Sequence, residues 1–72
     1  MERITLPQIE EAINYWRKRV PSQGEESRLC PQAAALAAPY ALMIIGHRPD
    51  IGAEELPLAA LAAYQSWRDA TD

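Results

Sequence analysis

Apolar residues recur at helical spacing along most of this chain, and its middle stretch has almost no polar position at all. Ile9, Ala12, Ile13, Trp16 and Val20 form one stripe, with Glu10, Glu11, Asn14, Arg17 and Lys18 mainly off it. Just ahead of that stripe Thr5 is placed to cap a helix, Gln8 to complete a capping box, and Ile4 and Ile9 to form a hydrophobic staple. Pro7 falls in the first turn, where its missing N–H costs nothing. Pro21 biases Val20 towards extended backbone, so the pattern predicts a first helix over 6–19, with Met1 to Arg3 as a frayed end.

A polar loop, Pro21 to Arg28 with a turn at Gly24, leads to Pro31–Gly46, PQAAALAAPYALMIIG. Ser27 and Cys30 are both candidate caps for the second helix, and Pro31 suits a first-turn position. The spacing predicts a helix over 31–45, kinked or split near Pro39, because proline has no N–H and crowds the carbonyl of Ala35. Its first half is built of small residues; its second brings Tyr40, Leu42, Met43, Ile44 and Ile45. A run apolar on every side is the pattern of a helix buried all round, so the bulky half is expected to supply most of the burial. Periodicity alone leaves Leu42–Ile45 open between helix and strand. Gly46 as a C-terminal cap, and the lack of a sister strand, favour helix.

His47 to Asp50 reads as a charged connector. A third helix is expected over 54–69, with Leu56, Ala60, Ala63, Tyr64 and Trp67 on one face. Pro57 marks either its true start, with Glu54 and Glu55 in an irregular turn before it, or a blemish within its first turns. The expected fold is all-α: one small domain over 1–72 with three to four helices around the Ala-rich centre.

Composition qualifies this picture. Thirteen of the 72 residues are Ala, which packs closely but buries little area. Either the helices close on one another through their Ala faces, or a partner completes part of the core. The net charge of -3 argues against unselective binding to nucleic acid or anionic lipid. A single cysteine, Cys30, rules out an intramolecular disulfide and fits a reducing, cytoplasmic setting. No signal peptide is read at the N-terminus, and the Pro31–Gly46 run is shorter than the ~20 residues of a membrane span.

Candidate chemistry is sparse. One His and one Cys fall short of the four ligands of a structural zinc, so no metal site is proposed. The three glycines have no phosphate-cradling spacing, and no cofactor is expected. His47, Arg48 and Asp50 bring all three charge types together, yet a general base also needs a pocket and an orienting partner. They read as a solvated loop, and no catalytic residue is assigned. The more suggestive patch is Asn14, Tyr15, Arg17 and Lys18, continued by Arg19, where aromatic and basic side chains meet at a helix end.

Thr5-Leu6, Ile9-Glu10 and Ala12-Ile13-Asn14-Tyr15-Trp16, with Leu29-Cys30-Pro31 and Leu36-Ala37-x-Pro39-Tyr40-Ala41 further on, resemble a small family of uncharacterised bacterial proteins. That family is mostly betaproteobacterial and marked by the Ala-Ile-Asn motif. The resemblance implies a cytoplasmic protein of about this length and carries no catalytic residue across. The leading reading is a non-catalytic helical interaction or regulatory module, with a protein partner or self-association as a homodimer. Asn14, Tyr15, Arg17, Lys18, His47 and Arg48 are its candidate contact residues. The alternative is a helical nucleic-acid-binding protein using the basic end of the first helix.

Overall fold

The structure, a computed structural model, describes residues 3–19 and 30–71. The expectations placed on Val20, on the loop with its turn at Gly24, and on a cap at Ser27 lie outside the described residues. In chain order the elements are β1 (Arg3–Thr5), α1 (Leu6–Arg19), α2 (Pro31–Ile45), β2 (Asp50–Gly52), a 3-10 turn (Ala53–Glu55) and α3 (Leu58–Thr71). The described residues are mostly helical, and the three helices among them pack against one another.

The start of α1 follows from its local sequence. The Thr5 N–H donates to Gln8 Oε1 at 2.8 Å, and the Gln8 N–H donates back to Thr5 Oγ1 at 3.3 Å. This is the reciprocal capping box, and Ile4 and Ile9 beside it are both fully buried. Ile9, Ala12 and Ile13 carry the stripe into the core. Arg17, Lys18 and Arg19 occupy the last turn, where positive charge meets the carbonyl end of the helix dipole.

A small sheet corrects the purely helical expectation. β1 and β2 pair antiparallel, with Arg3 opposite Gly52, Ile4 opposite Ile51, and Thr5 opposite Asp50. Arg3 is therefore a strand residue and not part of a frayed end, and Asp50 belongs to a strand and not to a connector. Ile4 and Ile51 both turn into the core. The Leu6 N–H donates to the Pro49 carbonyl at 2.9 Å and ties the entrance of α1 to the same ladder.

α2 begins with Cys30 as its N-cap and Pro31 at its first position, and one α-helix is assigned through Pro39 to Ile45. Its buried positions are Ala33, Leu36, Pro39 and Met43, a single stripe at helical spacing. The expectation of burial all round does not hold: α1 and α3 cover one side of α2 only.

The 3-10 turn precedes α3, which starts at Leu58 and not at 54. Pro57 sets this boundary. Its ring disfavours helical backbone at Leu56, which is extended, while its carbonyl accepts the Leu61 N–H at 2.9 Å. Ala60, Ala63 and Tyr64 then face the core.

Candidate functional site

With one face of α2 committed to the core, its other face is left as surface. Ala34, Ala38 and Ala41 are exposed along it, and so are the large side chains Leu42 (68%) and Ile45 (74%), with Ile44 at 48%. α2 has no charged residue, so nothing on the helix itself interrupts this apolar surface. Leu58 at the start of α3 is exposed to 85%. The bulky half of the central stretch thus contributes only Met43 fully to the core, contrary to the sequence expectation. Singly exposed apolar residues are ordinary on protein surfaces; here several share one helix.

Beside this face lies a groove of about 290 Å³, walled by Ala38, Pro39, Leu42, Met43, Ile51 and Pro57. Arg48 and Glu55 add its charged lining. The guanidinium of Arg48 donates to Glu55 Oε2 at 3.0 Å, and the Gly52 N–H donates to the same oxygen at 3.0 Å. Those two hydrogen bonds hold the Glu55 carboxyl below its ordinary pKa; Arg48 is raised by the same contact. Arg3 pairs with Asp50 across the ladder and lies 3.9 Å from Glu55. Two cations and two carboxylates therefore stitch the sheet to the 3-10 turn and fix one wall of the groove.

His47 closes α2 in an unexpected way. It has φ 55°, the left-handed region, while Gly46 sits at φ -85°. The Arg48 N–H donates to the Met43 carbonyl at 2.8 Å and the His47 N–H to the Ile44 carbonyl at 3.2 Å. This is a Schellman motif with His47 at the position usually held by glycine. Gly46 is the C-cap residue, as expected, with right-handed backbone.

The remaining sequence candidates gather elsewhere. Asn14, Tyr15 and Lys18 line a shallow depression of about 470 Å³ between α1 and α3, with Glu11, Trp67 and Thr71. Tyr15 packs edge-on to Trp16, ring centroids 5.2 Å apart, and the Arg19 guanidinium lies 5.9 Å from the Tyr15 ring. Trp16 is part of the helix packing, its indole N–H donating to the Ala63 carbonyl at 3.0 Å. Arg17 is exposed on α1. Arg48 lines the apolar groove, and His47 is exposed in the turn just before it. Cys30 is buried, its thiol directed at the Trp16 carbonyl at 3.7 Å.

The structure thus divides the candidates between two surfaces and adds Leu42, Ile44, Ile45 and Leu58, which sequence reasoning assigned to the interior or left aside. A helix without a charged residue, held by two neighbours, exposes mostly apolar surface whichever way it turns; that was the available signal. Among the described residues, no group of three or more His, Cys, Asp or Glu is placed to hold a metal ion, and no helix is long and apolar enough to cross a membrane. No curated protein and no solved structure matches the chain. The model of the DUF3717 family, proteins of unknown function, matches residues 2–69, and the chain belongs to that family.

Proposed function

We propose that this protein is a non-catalytic helical interaction module whose contact surface is the outward face of α2. The observation that carries this reading is the exposure of Leu42 and Ile45 on a helix with no charged side chain. Burying one such side chain is worth about 1.5–3 kcal/mol, and the fold leaves that gain unused. The adjoining groove adds a concave wall, and the Arg48–Glu55 pair adds polar groups that orient a partner. The test is affinity capture from the source organism with the parent chain and with a Leu42→Lys/Ile45→Lys variant. A partner held by the parent and lost from the folded variant supports the reading. Identical captures by both sink it. The cytoplasmic setting suggested by the single cysteine belongs to the same proposal.

A nucleic-acid-binding reading has one observation in its favour: Arg17, Lys18 and Arg19 are all exposed at the end of α1, with the Tyr15 ring beside them. The net charge of -3 weighs against it. Absence of binding to duplex or single-stranded DNA at low salt would dispose of it; binding with a salt slope reduced by Arg17→Glu would favour it.

A further inference from the structure

We infer that the occupant of the exposed α2 face is a second copy of this chain, packed with its own α2 antiparallel about a two-fold axis near Ala38. The inference rests on the interaction reading above and names the partner.

Two features select a copy of the chain itself, and a third sets how tightly it is held. The first is shape. The exposed face is graded, with Pro31, Ala34 and Ala38 towards the N-terminal end and Leu42 and Ile45 towards the C-terminal end. Opposed antiparallel about Ala38, Leu42 of each copy lies over Ala34 of the other, and Ile45 lies over Pro31. Large side chains thus meet small ones at both ends, as an isologous interface requires. A parallel pair would instead set Ile45 against Ile45 and leave a gap along the alanines.

The second feature is charge. The first turn of α2 holds no acid and its last turn no base, so no side chain of the helix offsets the partial charges at its ends. An antiparallel copy places the positive end of one helix beside the negative end of the other. The facing surfaces carry no ionised group on α2, so two chains of net charge -3 meet where that charge is absent.

The third is area. Leu42 and Ile45 with the three exposed alanines offer less than the ~800 Å² per partner of a stable interface. The pair is therefore a weak dimer that dissociates on dilution.

The test is sedimentation equilibrium of the full chain from about 5 µM to 500 µM, with circular dichroism to certify the fold of each variant. The inferred result is a reversible shift from 8.0 kDa towards twice that mass. Leu42→Ser and Ile45→Ser, each lost twice per dimer, should separately raise the dissociation constant tenfold or more. Cysteine placement reports the direction. Ala38→Cys should cross-link to itself under mild oxidation, while Ala34→Cys should not; the native Cys30 is buried and silent in this assay. A monomer throughout the range overturns the inference, as does a dimer indifferent to both serine variants or one that cross-links through Ala34→Cys. A persistent monomer that still captures a partner through Leu42 and Ile45 rejects self-pairing alone. A monomer whose captures ignore those residues rejects the interaction reading as well.

Discussion

At the scale of single residues, two side chains sit in places that others would fill at lower cost and a third carries a pH signature, and each makes a measurement possible. His47 adopts left-handed backbone at the end of α2, where a residue with a Cβ pays about 1 kcal/mol relative to glycine. His47→Gly should therefore stabilise the protein by about that amount in urea denaturation, and His47→Val should destabilise it. The Tyr64 side chain is fully buried, and its hydroxyl finds no hydrogen-bond partner among the described residues. Burial also pushes its pKa above the ordinary value. An unpartnered buried hydroxyl costs about 1–3 kcal/mol, so Tyr64→Phe should raise the melting temperature by several degrees. Glu55 supplies a pH signature. Its folded pKa is lowered by the Arg48 and Gly52 hydrogen bonds, so its contribution to stability is present above the ordinary carboxylate value. It is lost as pH falls through the depressed one. Glu55→Gln should be less stable than the parent at neutral pH, and the difference should vanish in acid, as read from melting temperatures across pH 2 to 7.

Single elements differ in how much of them the sequence discloses, and the difference follows the range of the interactions that make them. The start of α1 was legible because Thr5 and Gln8 satisfy each other's backbone within one turn. Thr5→Ala should cost about 1 kcal/mol, and Gln8→Ala somewhat less. The double variant should lose less than the sum of the singles, since one cap cannot be broken twice. Thermal denaturation of the four proteins measures that coupling directly. The entrance of α3 was half legible: Pro57 offered two readings, and the extended backbone at Leu56 decides between them. The β1–β2 ladder was not legible. Three-residue strands are too short to show alternation, and their central pair, Ile4 and Ile51, joins distant parts of the chain. Their cue is spatial, with Ile4 and Ile51 side by side over the core. The end of α2 was legible in its place, with Gly46 as the C-cap, while the left-handed turn that the hydrogen-bond register puts on His47 was not.

For the whole molecule, the hardest feature to read is the one on which the proposed function rests. A helix that alternates polar and apolar residues announces its buried side, whereas α2 is apolar but for Gln32 and the Tyr40 hydroxyl, and its sequence leaves the choice to its neighbours. α1 and α3 choose Ala33, Leu36, Pro39 and Met43, and Leu42 and Ile45 become surface. The basic and aromatic residues of α1, visible in the sequence because they stand out chemically, sit at a different surface from this apolar face. Adjacent residues on α2 should therefore respond oppositely to the same change. Met43→Ala removes a side chain that is 1% exposed and should cost about 2–5 kcal/mol, much of the roughly 4–10 kcal/mol available to a domain of this size. Leu42→Ala and Ile45→Ala, measured in dilute protein where self-association is absent, should change stability by less than about 0.5 kcal/mol. Were all three to cost several kcal/mol in dilute solution, α2 would be enclosed within one chain, and neither an interaction face nor a second copy would be needed to account for its composition.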